Sequence, residues 1–312
     1  MVKKIVRSTS ALLLCVCVML MSGCQIHISV GTTDYLTGES YPDAEKYQTG
    51  VFTYLANEIK AVEVYWRSGE VEIIESDNAE LSVNESGNEL PEDTAMHYFL
   101  DNGVLRIRFC ESGAKIQVNA LDKHLHLEIP KGINLSVHTT DALTKADTLN
   151  QKDVLIAALS GDMELGTVSS DTIDLSSSSG SIRADNISAQ SLKCSASSGS
   201  VDIGVISVET LDCSTSSGDI TLDSMISEAS AVTTSSGNVK LSLINVPSTE
   251  IHTSSGDVDL TLAKSGAEVL HATSSGKLLT DCTYGRKGDL YVFDEGVSNI
   301  TVETSSGNLK VQ

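Results

Sequence analysis

The chain predicts an all-β fold, a single-domain parallel β-solenoid (β-helix) with coils of about 19 residues. Three observations predict it. Ser-Ser-Gly or a close variant recurs, ending at Gly161, Gly180, Gly199, Gly218, Gly237, Gly256, Gly276 and Gly307, and the first five intervals are all 19 residues. Aligned on these glycines, apolar residues form columns: Met163, Ile182, Val201, Ile220, Val239, Val258, Leu278 and Leu309 stand two after the glycine. Within a repeat the alternation has period two, as in Ser200-Val201-Asp202-Ile203, which is the signal of a half-buried strand.

Each element follows from these. One coil cannot bury its apolar column alone, but coils stacked about 4.8 Å apart pair every strand with its equivalents above and below. The columns at seven after the glycine (Val168, Ile187, Ile206, Met225, Ile244, Ala263) and five before it (Leu175, Cys194, Cys213, Val232, Ile251, His271, Val302) complete the expected interior. Glycine at the corner suits a tight turn that needs positive φ, and the column Ser177, Ala196, Thr215, Thr234, Thr253, Thr273, Thr304 just before it offers hydroxyls that can bond along the axis. Aromatics are 4% of the chain, which suits thin coils. The crossover rule predicts a right-handed path.

The N-terminus reads as an export signal. Lys3, Lys4 and Arg7 precede an apolar run from Ala11 to Met21, too short for a membrane span of about 20 residues. Leu20-Met21-Ser22-Gly23-Cys24 resembles a bacterial lipobox, so residues 1–23 are expected to be removed and Cys24 to carry a lipid. Residues 24–58 are polar and aperiodic and read as a flexible tether. Residues 59–312 then form the solenoid, with irregular entry coils, regular repeats over about 161–276, and a cap over 277–312 built on a hairpin around Tyr284-Gly285-Arg286-Lys287-Gly288. The polar stretch Asn84 to Thr94 reads as an excursion between entry strands.

Without residues 1–23, Lys+Arg falls from 21 to 18 against 42 acids, a formal charge of −24. Such a surface repels nucleic acid and anionic headgroups. Four cysteines remain beyond the signal and Cys24, at 110, 194, 213 and 282; Cys194 and Cys213 share a column in adjacent coils, within Cα reach of a disulfide, and read as two buried thiols with that bridge as the alternative.

Ser68-Gly69-Glu70-Val71-Glu72-Ile73, Asp101-Asn102-Gly103-Val104-Leu105-Arg106-Ile107, His126-Leu127-Glu128-Ile129-Pro130-Lys131-Gly132 and the SSG ladder together resemble the bacterial putative-adhesin family of unknown function. The resemblance covers residues 59–312 and implies a secreted or lipid-anchored repeat protein. It supplies no catalytic or ligand residues.

The residues themselves point to no catalytic, cofactor or metal constellation. Ser274-Ser275-Gly276-Lys277 has S-x-x-K spacing but falls on a strand corner in register with the other repeats. His124 and His126 share one face of a strand without a third ligand, and the acids after the corner, Asp162, Asp219 and Asp257, lie mostly two or more coils apart, too sparse for calcium. The expected function is therefore a non-enzymatic, adhesin-like binding or scaffold module, held at the extracytoplasmic face of the cell membrane through lipid on Cys24, with an envelope protein or glycan as partner and no nucleic acid. An accessory of an envelope-stress or membrane signalling system is the alternative, with a polysaccharide-acting enzyme behind it.

Overall fold

The computed structural model describes residues 40–87, 90, 93–114, 123–263 and 265–312. Its 24 strands belong to one sheet, most of them paired in parallel, and the architecture is the expected β-solenoid. Each middle coil is one bent 15-residue strand, Met163–Ser177, Ile182–Ala196, Val201–Thr215 and Ile220–Thr234, closed by the Ser-Ser-Gly corner. In the first, the inward residues are Met163, Leu165, Val168, Ile173, Leu175 and Ser177. A spacing of two marks a flat side, and the wider spacings at Leu165–Val168 and Val168–Ile173 mark the bends. The register holds at 19 residues from Met163↔Ile182 through Val201↔Ile220 to Val239↔Val258.

The corner glycines are required, for a reason other than the one expected. None of the eight has a positive φ. Instead, a Cβ built on Gly180, Gly199, Gly218 or Gly237 would lie 1.9–2.0 Å from the carbonyl oxygen of the corner glycine one coil below, so these regular coils need that carbon to be missing. The hydroxyl column bonds both locally and along the axis. Gly237 N–H donates to Thr234 Oγ1 (3.0 Å), and Thr215 Oγ1 donates to Thr234 Oγ1 (3.0 Å).

The order of coils in space differs from their order in sequence at both ends. Ala61–Trp66 pairs with Val104–Arg108 on one edge and Asn134–Thr139 on the other, so the first coil of the chain lies in the second layer. Ser298–Thr304 pairs with Ser248–Thr253 and with Ala267–Thr273, and Leu309–Val311 pairs with Val258–Thr261 and Leu278–Thr280. The last coil of the chain is thus the tenth of eleven layers, and the coil 267–280 is the outermost. The 31-residue interval between Gly276 and Gly307 is the path the chain takes beyond that outermost coil and back beneath it.

This corrects the 277–312 cap. The hairpin Tyr284–Lys287 with Leu290–Phe293 does cover the outermost coil, pairing antiparallel with Ala267–Leu270, but residues 298–311 are a regular coil inside the stack. The tether is corrected too. Tyr41 is buried, its hydroxyl donating to Cys110 C=O (3.1 Å), and Phe52–Leu55 pairs antiparallel with Glu80–Val83. The first layer has no coil outside it, and these scattered aromatics close it. Asn84–Gly87, read as excursion, continue the strand that pairs with Lys123–Pro130. Ile244 is also displaced from its column: a register shift puts Leu243 opposite Met225 and leaves Ile244 52% exposed.

Aromatics mark the ends. No Phe, Tyr or Trp lies between Phe109 and Tyr284. At the first layers Phe52 stacks on Tyr98 (3.7 Å) and Trp66 meets Phe109 edge-on (4.9 Å), rings covering apolar surface that no further coil covers.

On the side that follows the corner, one outward column reads, layer by layer, His126, Glu72, Lys145, Glu164, Arg183, Asp202, Thr221, Lys240, Asp259, Lys310, Leu279. Wherever charged residues are neighbours the sign alternates. Opposite charges directly across parallel strands are favourable and like charges are not.

Two substitutions test this packing. Gly218→Ala is expected to lower stability by about 2–3 kcal/mol through overpacking, whereas Gly132→Ala, with nothing within 4 Å but a φ of +79°, costs about 1 kcal/mol, both by chemical denaturation. Arg183→Glu places three acids in a row and is expected to cost up to about 1 kcal/mol, with the loss shrinking as salt is added.

Candidate functional site: groove, aromatic stack and buried lysine

Three features outside the regular core carry polar chemistry. The first is a lateral groove that crosses the second to sixth layers on the side preceding the corner. Ala61–Glu63, Asn134–Ser136, Asp153–Leu155, Thr172–Asp174, Ser191 and Lys193 line an opening of about 500 Å³. Parallel register sets Leu155 beside Ser136 and Asp174, and Lys193 beside Asp174 and Asp212. Burial pushes the Asp174 carboxyl up, Lys193 opposes the shift and Asp212 adds to it. Asp153 accepts from Thr172 Oγ1 (2.6 Å) and Glu63 pairs with Arg106 (3.1 Å). The surface is thus a strip of carboxylates, hydroxyls and amides around a half-buried leucine, able to hold an extended polar partner.

The second is a stack on the same side at the first layers. Arg108 lies over Tyr65 (3.7 Å), Tyr65 stacks on His138 (4.9 Å, 12° between planes), and Tyr41 flanks Arg108 (5.2 Å). The order follows from register alone, since Tyr65 is paired with Arg108 on one edge and His138 on the other. Burial lowers the His138 pKa; Glu63 raises it and Arg108 lowers it further.

The third is Lys123, whose side chain is fully buried at the first corner. Its ammonium pairs with Glu85 (2.7 Å), donates to the carbonyls of Thr94 (2.6 Å) and Phe109, and lies 4.2 Å from the Phe109 ring centre. Burial pushes this lysine's pKa down, with Glu85 opposing. Held by one carboxylate and two carbonyls, the lysine acts as a cross-tie between the irregular first corner and the Glu80–Gly87 strand.

The residues singled out from sequence fall as follows. Cys24 lies outside the described residues. Gly161, Gly180, Gly199, Gly218, Gly237, Gly256, Gly307 and Gly276, in that spatial order, form the corner column. Gly69 and Ala142 stand earlier in the same column; sequence reasoning missed Gly69 because it lies outside the 19-residue period, and Ala142, 19 residues before Gly161, because it is not a glycine. Ser274 and Lys277 are exposed at the outermost corner, where Lys277 N–H donates to Asn308 Oδ1 (3.1 Å). His126 Nδ1 pairs with Glu72 (2.6 Å). Asp219, Asn238, Asp257 and Asn308 form a capping ladder, each carboxyl or amide oxygen accepting the next residue's backbone N–H (2.7–3.0 Å). Among the described residues no three His, Cys, Asp or Glu side chains converge as metal ligands. Cys194 and Cys213 are adjacent in register and remain free buried thiols.

The buried histidine sets a pH dependence. With its folded pKa below the ordinary 6.5, His138 contributes stability that is full above 6.5 and is lost as the pH falls through that value toward the folded one. His271, lowered by burial in the outermost layer, acts with the same sign. Thermal denaturation from about pH 7 to pH 5 is expected to show falling stability, and His138→Phe, which keeps the ring stack, to flatten the slope.

Among solved structures, the chain is similar to a putative lipid binding protein from Parabacteroides distasonis ATCC 8503, at 16% identity and a TM-score of 0.54, over 86% of this chain and 97% of that one. A putative adhesin from Bacteroides fragilis NCTC 9343 aligns at 9% identity with a TM-score of 0.43, over 85% and 97%. A putative adhesin from Parabacteroides distasonis ATCC 8503 aligns at 15% identity with a TM-score of 0.42, over 85% and 97%. None of the curated proteins matches. The first of these similarities supports the fold, and the family model of Toastrack DUF4097 matches residues 59–312. The chain belongs to the Toastrack DUF4097 family.

Proposed function

We propose that this protein is a non-enzymatic surface module, exported, lipid-anchored through Cys24 at the extracytoplasmic face of the cell membrane, and presenting its solenoid to an envelope protein or a glycan. On this reading residues 1–23 are removed and the lipid on Cys24 fixes the N-terminal end of the chain to the membrane. The observation that supports it is the polarity of the rod. Chain entry, at Tyr41 against Cys110 and Ser112, is at the first layer, and the outermost coil 267–280 is at the eleventh. Ten spacings of about 4.8 Å put these ends about 48 Å apart. A module anchored at one end of such a rod holds the other end clear of the membrane. Polar strips of stacked strands suit recognition of extended chains, whose repeats meet a repeat of fixed pitch.

The test is acylation and fractionation. Metabolic labelling with a palmitate analogue is expected to mark the wild-type chain and co-sediment it with membranes, while Cys24→Ala is unlabelled and released. A wild-type chain without label, or a Cys24→Ala chain still in the membrane fraction, sinks the anchor.

A further inference from the structure

The two ends of the rod are finished unequally. At the first layer, antiparallel strands cover both sides: His97–Asp101 pairs with Val104–Arg108, and Glu80–Gly87 with Lys123–Pro130. At the eleventh, the hairpin covers Ala267–Leu270 only. Leu278–Thr280 pairs with Leu309–Val311 on its inner edge, and among the described residues no strand pairs with its outer edge. Leu309 N–H donates to Lys277 C=O (2.9 Å), so Lys277 and Leu279 turn their backbone groups toward the tenth layer. By the alternation of a strand, Leu278 and Thr280 turn theirs outward, and Leu279 is 48% exposed.

The residues around this edge, Lys277-Leu278-Leu279-Thr280-Asp281, are complementary to themselves. When two copies are set antiparallel about Leu279, Leu278 of each meets Thr280 of the other, the pairs whose N–H and C=O groups point outward. Leu279 meets Leu279 across a non-hydrogen-bonded position. Lys277, exposed, meets Asp281, also exposed, on the same face and twice by symmetry.

We propose that two copies of this chain join tip to tip by antiparallel pairing of Leu278–Thr280, with Lys277 of each copy opposite Asp281 of the other. The pairing takes its biological setting from the surface reading above: with the chain entry points at the far ends of the doubled rod, it links copies anchored on facing membranes. The contact is short, so a single pair is weak, and arrays of anchored copies multiply it.

Cysteine crosslinking of the full-length chain tests this. A non-hydrogen-bonded antiparallel pair has Cα atoms about 4.5 Å apart, within disulfide reach. In a Cys282→Ser background, Leu279→Cys is expected to give a covalent dimer under mild oxidation, and Asp289→Cys, also exposed, on the hairpin, to give little. Adding Lys277→Asp turns both ion pairs into repulsions and should cut the dimer yield about tenfold, while Lys277→Asp with Asp281→Lys restores it. Circular dichroism checks that each variant is folded. Leu279→Cys crosslinking no better than Asp289→Cys, or a yield indifferent to Lys277→Asp, overturns the pairing. Clumping of cells displaying the chain is scored separately. Dimers without clumping keep the pairing and remove its adhesive setting, whereas clumping unchanged by Lys277→Asp removes the pairing and leaves the surface reading standing.

Discussion

The contact on which the rest depends is backbone against backbone at the corner. Parallel strands about 4.8 Å apart leave room for side chains that point into the core or out to water, but not for a carbon aimed along the axis. At the corner the chain turns so that each Cα aims at the carbonyl below, and a Cβ there would sit about 2 Å from that oxygen. Glycine in every regular coil is the consequence. The 19-residue length belongs to the coils without insertions; where residues are added after Gly256 and Gly276, the extra chain is taken up away from the corner and the glycines stay in the column. The hydroxyl three residues earlier follows from the same turn, accepting the glycine N–H that the corner takes out of the ladder (2.8–3.0 Å at Thr234, Thr253 and Thr273).

Stacking equivalent coils creates a second problem, since nearly identical repeats pair about equally well in any order or register. The outward charge column answers part of it. Lys310 lies between Asp259 and Leu279, and Asn308 between Asp257 and Lys277, only because the last coil is inserted beneath the outermost one. Stacked in sequence order, Lys277 would lie directly on Asp257 and Leu279 on Asp259, leaving Lys310 at the open end. The inserted order keeps the sign alternation and lets Asn308 bond both neighbours. Exposed pairs of this kind add little each, but they penalise slipped registers, which is how stacked sheets keep a single arrangement.

The middle of the molecule was legible in the sequence because its period is exact: from Met163 to Thr234 every inward residue recurs at 19, and no loop intervenes. The ends were not, for a physical reason. A solenoid end needs surface that no repeat supplies, and the chain provides it from distant segments such as Tyr41, Phe52 and Tyr98 that follow no period. Insertion of the first and last coils is likewise invisible to spacing, since a coil has the same sequence signature whichever neighbours it meets. The groove was illegible too: Glu63, Ser136, Asp153, Asp174 and Lys193 lie on five strands, and only register brings them together. The alternating charge column is legible in sequence from Lys145 to Asp259, where it recurs at 19, but its continuation to Glu72 at one end and Lys310 at the other depends on the spatial order of the coils.

The unequal ends bear on how such a rod is used. An uncovered parallel edge invites pairing with any extended chain, and soluble proteins usually block it with charge, brevity or a covering strand. Here the first layer is covered across both its sides, while the outermost layer keeps a three-residue edge flanked by Lys277 and Asp281. A cation at one end of the edge and an anion at the other reject a partner of the opposite polarity or of uniform charge, so the flanking pair selects as well as attracts. Insertion of the terminal coil adds to this selectivity. With Ser298–Val311 paired on both sides, the edge offered on this side of the tip is Leu278–Thr280, flanked by Lys277 and Asp281, and not Leu309–Val311 of the terminal coil.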